Sequence, residues 1–378
     1  MQLTLIATTI MGLESTVSYE LKRLGYTPRV FDTRVEFSGT LIDICRANLW
    51  LRTAGRVYVK LAEFTAETFD DLFDQTADVP WENWIGEQDQ FPVTKVMSKK
   101  STLFSRSDCQ AIIKKAIAKR LQSAYQIRTL PETGALMPIR VSIVKNIVTI
   151  SLDTTGPGLN KRGYRAPQTE APLRETLAAG LLYLSRWRPD TDVLMDPFCG
   201  TGTILIEAAM IAQNKAPGLL RSFISEQWSL LSSDLWASAR TECMDHIDPQ
   251  ASYTIMGSDH HSPSLRTARE NSLRANMTGI HVQNRPFNAI SSRFKTGLII
   301  TNPPYGHRLG QSDDVYDLYQ SMGRLLLDRF PQWSYAILCG NESFKTAFGI
   351  EPSGHRKLYN GGIKCYFYQY HRSKRSAT

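Results

Sequence analysis

The sequence predicts a multidomain α/β protein whose C-terminal half holds a parallel sheet with helices on both faces. First, 378 residues exceed the usual size of one domain, so two or three domains are expected. Second, helical and strand patterns alternate from Thr169 onward, as they do in parallel sheets. Third, a glycine-containing turn joins the first apolar strand of this half, 192–196, to a helix at 203–213.

The other elements predicted in the C-terminal half are one helix and four strands. A helix is predicted before the first strand, at 171–186. The later strands are apolar runs at 254–257, 297–301, 335–339 and 364–370.

The N-terminal half predicts two smaller α+β layers. The first alternates strand and helix at 3–7, 13–24, 29–37 and 41–51. The second, 60–155, contains an amphipathic helix at 108–122 and a pair of strands at 138–144 and 147–152. A loop at 155–158 and a linker at 159–167 lead into the C-terminal half.

Positive charge is concentrated in one segment, residues 95–128. The formal net charge of the chain is +8, and this segment carries nine basic residues against one acid, Asp108, so it accounts for all of that excess. We therefore expect a nucleic acid as partner, although a solvated, lysine-rich helix face gives the same pattern. The candidate contacts are Lys99, Lys100, Lys114, Lys115, Lys119 and Arg120, and outside the segment Arg308.

Several classes of protein are disfavoured by composition. The six cysteines are scattered, without a C-x-x-C pair or a Cys/His cluster, which favours a reduced cytoplasmic protein without a metal site. No apolar run approaches the roughly 18 residues of a membrane span. The N-terminus lacks the basic and apolar regions of a signal peptide.

The first chemical motif is Asp196–Thr203, between the strand at 192–196 and the helix that follows. Its glycines let the backbone approach a ligand, and a helix N-terminus presents free N–H groups. A G-x-G turn alone fits a dinucleotide site or a simple tight turn. The leading Asp196 would repel a pyrophosphate, so it favours a ligand with a cationic amine, such as the methionine end of S-adenosylmethionine (AdoMet).

The second motif is an acid, Asp259, at the end of the next predicted strand. A carboxylate in that position accepts hydrogen bonds from ribose hydroxyls, although a surface acid gives the same pattern. The usual spacing from the glycine turn is about 20 residues. Here it is roughly three times as long, so an insertion is predicted at 214–252.

The third motif, Asn302–Tyr305, follows an apolar strand and is the most specific. Two prolines fix the backbone and remove two N–H donors. If the side-chain oxygen of Asn302 and the carbonyl of Pro303 each accept one N–H of a base amine, the nitrogen lone pair turns toward a methyl donor. Tyr305 is predicted to stack on the base. The alternative is a rigid structural turn.

Together these motifs resemble motifs I, II and IV of class I AdoMet methyltransferases. The similarity extends over the chain to the bacterial THUMP-domain methyltransferases. That family is often labelled as adenine-specific DNA methylases and includes the large-subunit ribosomal RNA guanine-N2 methyltransferases. The segments that carry this resemblance are Leu152–Gly156, Lys161–Arg165, Ala171–Thr176 and Leu358–Gly361.

The resemblance implies three domains. They are a ferredoxin-like region at 1–60, a THUMP RNA-binding domain at 61–158 and a Rossmann-like methyltransferase domain at 159–378. The last sheet should end in an antiparallel hairpin, formed by 335–339 with 364–370.

The resemblance also implies site residues. Asn302, Pro303, Pro304 and Tyr305 would be catalytic. The residues that would hold AdoMet are Thr169, Pro172, Asp196, Phe198, Gly200, Thr201, Gly202, Asp259, Asn288 and Asn302. Asn288 stands where many relatives have an acid that meets the adenine amine.

The expected function is transfer of a methyl group from AdoMet to an exocyclic base nitrogen in RNA. Guanine N2 of large-subunit (23S) ribosomal RNA or its precursor is favoured by the resemblance alone. Adenine N6 in RNA or DNA is an alternative, because Asn-Pro-Pro-Tyr also serves other planar amines. A non-catalytic RNA-binding assembly factor with a vestigial AdoMet fold is the other.

Overall fold

The structure, a computed structural model, describes residues 1–165, 173–305 and 312–371, and for 312–314 the backbone alone. It divides into two compact units, each considered by itself. The first comprises Met1–Thr9, Ser18–Leu159 and Ser222–Glu242, and the second Ile10–Val17, Asn160–Arg221 and Cys243–Thr378. Much of the predicted insertion, 214–252, therefore belongs to the first unit. Within the described residues, no helix is long and apolar enough to cross a membrane.

The first unit is built on a sheet whose strands are β1 Leu3–Thr8, β2 Arg29–Phe31, β3 Arg34–Gly39, β4 Arg56–Thr65, β5 Val93–Lys99, β6 Ile139–Val144 and β7 Ile147–Asp153. Its helices are α1 Glu14–Arg23, which begins in the second unit, α2 Leu41–Trp50, α3 Phe69–Ala77 and α4 Arg106–Tyr125. In the described part of the chain the strand order is β2-β3-β1-β4-β7-β6-β5.

Strand β4 joins the two predicted α+β layers. It crosses the predicted domain boundary near residue 60 and pairs antiparallel with β1 on one side and β7 on the other. The two layers therefore share one continuous sheet. The predicted strand at 29–37 is wrong as a single strand, because Thr33 has a φ of 60° and turns the chain between β2 and β3.

The second unit has the predicted α/β fold. Its strands are β8 Leu194–Asp196, β9 Ile255–Asp259, β10 Ile280–Asn284, β11 Leu298–Thr301, β12 Ser334–Cys339, β13 Gly354–Asn360 and β14 Ile363–Tyr370. Its helices are α5 Glu175–Leu184, α6 Thr203–Ala212, α8 Ser262–Arg274, α9 Ser312–Arg329 and α10 Phe344–Phe348, whereas α7 Ser233–Asp245 belongs mostly to the first unit. Among the described residues the strand order is β10-β9-β8-β11-β12-β14-β13.

The antiparallel end of this sheet differs in one respect from the prediction. Strand β14 pairs antiparallel with β12, as expected. The hairpin, however, is β13 with β14, so the predicted hairpin of 335–339 with 364–370 is wrong. The tight turn at Gly361, with a φ of 64°, joins the two strands of the real hairpin.

Both faces of the second sheet are buried near its centre. Along β11, Ile300 packs into one apolar cluster with Leu205 and Ile255, whereas Ile299 packs into another with Tyr319 and Ile337. This two-sided burial explains why β11 reads as a continuous apolar run rather than an alternating one. The strand order reverses at β8, so a crevice opens at the carboxyl ends of β8, β9 and β11.

Candidate active site

The loop after β8 is shaped by two glycines with positive φ. Gly200 has a φ of 50° and Gly202 a φ of 81°, where residues with side chains are strained. A Cβ atom on Gly202 would lie 3.1 Å from the Cβ atom of Ala268 on α8. The loop therefore fits close against α8 and brings its backbone to the crevice before α6 begins at Thr203.

Asp196 ends β8 as a buried carboxylate. Its Oδ1 accepts hydrogen bonds from the Thr301 hydroxyl at 2.6 Å and the Phe198 N–H at 3.1 Å. Burial raises the pKa of this carboxyl to about 7, despite both hydrogen bonds, and the charge of Asp259 adds to the rise. A cationic group in the crevice would favour the ionised form.

Asp259 connects the second strand end to the glycine loop. Its Oδ2 accepts a hydrogen bond from the Gly200 N–H at 2.9 Å, and its Oδ1 accepts one from the His261 N–H at 2.9 Å. These bonds fix the carboxylate at the crevice. Each oxygen retains a lone pair that can accept a further hydrogen bond, such as one from a diol.

The turn Asn302–Tyr305 is braced by hydrogen bonds from outside it and within it. The hydroxyl of Tyr319 on α9 donates to the Pro304 carbonyl at 2.7 Å, and the side-chain N–H of Asn341 donates to the Tyr305 carbonyl at 3.1 Å. Within the turn, the Tyr305 hydroxyl donates to the side-chain oxygen of Asn302. The Asn302 amide therefore has one set orientation.

The ring of Tyr305 is half-buried. It lies so close to Gly340 that a Cβ atom there would be 3.0 Å from a ring carbon. Burial raises the pKa of the Tyr305 phenol far above its ordinary value, so the hydroxyl remains protonated and stays a donor to Asn302.

A cavity of about 650 Å³ brings most of the predicted cofactor residues together. Those on its wall are Asp196, Phe198, Gly200, Thr201, Asp259, Asn288, Asn302 and, from the turn, Pro304. Gly202, Pro303 and Tyr305 are not on this wall; Gly202 supports the loop, Pro303 is buried, and Tyr305 contacts Asn302. Thr169, Pro172 and Arg308 lie outside the described residues.

The cavity also has wall residues that the sequence did not single out. The Phe287 ring stacks on the Phe198 ring, with centroids 5.1 Å apart and planes 12° from parallel. Leu318 and Ser321 of α9 also line the cavity. In the sequence, Phe287 is marked only as an aromatic residue beside Asn288. The strand before it, β10, was not predicted because its residues do not form an apolar run.

The residues of this cavity fit AdoMet. The Thr201 hydroxyl oxygen is buried and has no hydrogen-bond partner among the described residues, which is costly unless a ligand supplies one. The buried Asp196 suits the ligand's cationic amine, and Asp259 suits its ribose. A volume of about 650 Å³ is within the roughly 300–1,000 Å³ typical of small-molecule sites.

The basic segment lies in the first unit, and its cations are of two kinds. Lys114 forms an ion pair with Glu132 at 2.8 Å and Arg120 one with Glu82 at 2.5 Å. Lys99, Lys100, Lys115 and Lys119 are exposed and form no ion pair with any described residue. These four predicted contacts are thus available to an outside partner, as are the exposed Lys95, Arg106 and Arg128 of the same segment.

An exposed aromatic residue, Phe104, lies in the loop between β5 and α4. Its side chain is 81% exposed, although the next residue back, Leu103, is buried. The loop is held by the Ser98 hydroxyl, which donates to the Leu103 carbonyl at 2.7 Å, and by the Thr102 N–H, which donates to the Asn146 side chain at 2.8 Å. Phe104 is therefore presented to solvent by an ordered loop.

The doubly wound sheet, the acid-led glycine loop, Asp259 and the Asn302–Tyr305 turn at one cavity define a class I AdoMet-dependent methyltransferase. Family comparisons agree. Residues 162–369 match the RMKL-like methyltransferase domain, 4–58 the RlmL ferredoxin-like domain and 66–153 the THUMP domain. The chain belongs to this RMKL-like methyltransferase family.

The chain is also similar over most of its length to individual proteins of known name or structure. It is 44% identical over 370 residues to "Putative RNA methyltransferase YpsC" of Bacillus subtilis, covering 97% of this chain and 95% of that protein. It is 33% identical to "Ribosomal RNA large subunit methyltransferase K/L" of Syntrophotalea carbinolica, covering 95% of this chain but only 52% of that longer protein. The solved structure of SMU.472, "a putative methyltransferase complexed with SAH", is 37% identical, with a TM-score of 0.92 over 99% of both chains.

Proposed function

We propose that the chain methylates guanine N2 in large-subunit ribosomal RNA, with Asn302 and Pro303 as the acceptors of the target amine. The observation that carries this proposal is the braced turn Asn302–Tyr305, which adjoins the cavity that holds Asp196 and Asp259. A merely structural turn has no need of an amide fixed by Tyr305 at a cofactor-sized cavity.

The chemistry required of the turn is orientation. When bound, AdoMet supplies a methyl group activated by its sulfonium. The lone pair of a base amine is conjugated with the ring, so the nitrogen is a poor nucleophile until its N–H bonds are turned aside. The Asn302 side-chain oxygen and the Pro303 carbonyl accept those two N–H groups. The oriented lone pair would face the methyl group that bound AdoMet would supply, and transfer of that group would release S-adenosylhomocysteine and one amine proton to water.

Tyr305 has two roles in this proposal. Its hydroxyl sets the orientation of the Asn302 amide and takes one lone pair of the acceptor oxygen, leaving the other for the substrate. The part of its ring that is not buried contacts the flipped base.

An RNA substrate is supported by the relatives and by the first unit. The names of the two relatives above specify RNA and large-subunit ribosomal RNA. In this chain the exposed lysines 99, 100, 115 and 119 and the aromatic Phe104 offer phosphate and base contacts. Arg308 is an additional candidate contact. The choice of guanine over adenine rests on the family resemblance.

Labelled methyl transfer tests the proposal. Ribosomal RNA from cells that lack this protein would be incubated with the chain and tritiated AdoMet, then digested to nucleosides. We expect label in N2-methylguanosine. Label in N6-methyladenosine, or in DNA alone, would contradict the substrate, and no transfer with normal SAH binding would favour the non-catalytic alternative.

A further inference from the structure

A second cavity of the catalytic unit lies on the face of the sheet opposite α6 and α8. Its volume is about 470 Å³. Gly257 of β9 faces α6, where a Cβ atom would lie 2.3 Å from the side chain of Leu205. The alternate residues Met256 and Ser258 point to the other face and line the cavity, with His281 and Gln283 of β10 beside them.

This cavity exists because a crossover lacks its helix. Parallel strands are usually joined by a helix that covers the sheet. Between β10 and β11 the chain instead forms only a 3₁₀ turn, Phe287–Ala289, and a loop. The sheet face over β9 and β10 therefore stays open, with Met195 and Met256 as its floor and with Arg285 and residues 290–294 as its wall.

This second cavity, called the groove from here on, carries charge of a single sign. Between Glu270 and Asp313 the sequence contains no acidic residue, and its basic residues are Arg274, Arg285, Arg293, Lys295 and Arg308. Arg285 and Arg293 line the groove, and no described acidic side chain forms an ion pair with either. Arg285 instead donates to the Ser291 hydroxyl at 3.2 Å, and the Arg293 guanidinium lies 5.1 Å from the Phe294 ring centre.

The groove shares a wall with the AdoMet cavity. Pro286, Phe287 and Asn288 line the AdoMet cavity, whereas Arg285 and Ile290 line the groove on either side of them in the sequence. A chain bound in the groove would therefore lie next to the AdoMet cavity, on the side of Asn288 and within the same unit.

We propose that this groove binds a single-stranded segment of the RNA substrate. The arginines take phosphates and the floor of Met195 and Met256 takes one base. Arginine forks suit phosphate oxygens, and an apolar floor suits a base of any identity. The absence of acids over a long stretch fits a polyanionic strand better than a neutral metabolite. This inference rests on RNA being the substrate and adds a strand-holding site to it.

Removal of the two groove cations tests the proposal. An Arg285→Ala/Arg293→Ala variant would be compared with Arg266→Ala/Arg274→Ala, which removes two exposed cations from α8 outside the groove. Binding of a fluorescein-labelled single-stranded RNA would be followed by anisotropy over a salt series, with SAH affinity and the melting temperature as controls of folding.

We expect the groove variant to bind RNA at least about tenfold more weakly at about 0.1 M salt. The slope of log K against log salt should become shallower by about 1.4, because each phosphate contact on a single strand contributes about 0.7. The α8 variant should stay within about twofold of the wild type. Photocrosslinks from 4-thiouridine RNA should map to residues 281–294.

Three outcomes would overturn the groove site. They are equal RNA binding by both variants, crosslinks confined to the first unit, or a free mononucleotide that competes as well as the strand. Each is separable from a failure of the proposed function, in which the wild-type chain binds RNA but transfers no methyl group to it.

Discussion

The hydroxyl of Tyr305 donates a hydrogen bond to the side-chain oxygen of Asn302, the atom proposed to accept the substrate amine. Two longer-range bonds, from Tyr319 and Asn341, hold the carbonyls of the same turn. The acceptor geometry is therefore built before substrate arrives, which lowers the entropic cost of orienting the amine.

The Tyr305→Phe substitution tests this arrangement. It keeps the ring and removes the hydroxyl, so the Asn302 amide is free to rotate. We expect kcat to fall about tenfold or more, since loss of a positioning contact has effects of this size. SAH affinity should be unchanged. Tyr366→Phe on β14 is the matched control and should retain full kcat. Equal kcat for both variants would mean that the hydroxyl does not position Asn302.

Asn302→Ala removes the acceptor itself. We expect kcat to fall by about 10²–10³, as for deletion of other transition-state hydrogen-bond partners. The Kd for SAH should stay within about twofold, because Asp196 and Asp259 remain. Single-turnover methyl transfer and calorimetric SAH titration would measure the two quantities. A variant that binds SAH normally and retains full kcat would falsify the mechanism.

The glycine loop and the proline turn could be predicted because their backbone geometry depends on the residues within them. Gly200 and Gly202 do adopt positive φ, and Asn302–Tyr305 does follow a buried strand. Their partners could not be predicted in the same way. Tyr319 and Phe287 lie on elements brought there only by folding, and neither residue type marks such a contact in a sequence.

In the first unit, too, local features could be predicted from the sequence, whereas contacts between distant residues could not. The helix around 108–122 was correctly predicted from its apolar face and extends to Arg106–Tyr125. The union of the two N-terminal layers depends on β4 pairing with β7, a contact between residues far apart in sequence. The partners of Lys114 and Arg120, Glu132 and Glu82, are also non-local, so the sequence did not separate paired from unpaired cations.

The raised pKa of Asp196 predicts a pH dependence of cofactor binding. In the free protein this pKa is about 7, above the ordinary 3.8, because the carboxyl is buried. A cationic ligand amine favours the carboxylate, so the Kd for SAH should decrease by up to about tenfold per pH unit as pH rises toward 7 and level off above it. Titration calorimetry over about pH 5.5–8.5 would measure it. Asp196→Asn should bind more weakly and without this dependence, and a flat wild-type profile would contradict the assignment.

The raised pKa of Asp196 has the opposite effect on the stability of the free protein: cofactor binding strengthens as pH rises, whereas the contribution of Asp196 to folding stability falls. Between pH 3.8 and about 7 the folded chain retains a proton that the unfolded chain has lost. The contribution of Asp196 to stability is therefore complete below pH 3.8 and is lost as pH rises through about 7. Relative to wild type, Asp196→Asn should become more stable as pH increases over this interval, as chemical denaturation at several pH values would show.

A buried ion pair anchors the segment that leads into the second unit. Arg162 pairs with Glu207 of α6 at 3.2 Å, with both side chains almost fully buried. Glu207→Gln removes the carboxylate that is hydrogen-bonded to this buried guanidinium, and breaking a buried ion pair costs about 3–5 kcal/mol. We expect the melting temperature to fall by roughly 6 °C or more. Glu342→Gln breaks the solvent-exposed pair with Lys364 and should leave the melting temperature nearly unchanged, so similar losses in the two variants would be inconsistent with this account.

Phe104 is predicted to contribute to RNA binding by stacking. It is 81% exposed on an ordered loop beside Lys99 and Lys100, where a base can cover the ring while the lysines meet phosphates. Phe104→Ala should weaken binding of single-stranded RNA by about 1–3 kcal/mol, with no change in the slope of log K against log salt, because no charge is removed.

Phe69→Ala, which removes a 40%-exposed ring from the first turn of α3 outside this loop, is the matched control. Anisotropy titrations would separate the two variants. Equal affinities would place the RNA elsewhere on the unit, and a reduced salt slope for Phe104→Ala would indicate a rearranged loop rather than a lost stacking contact.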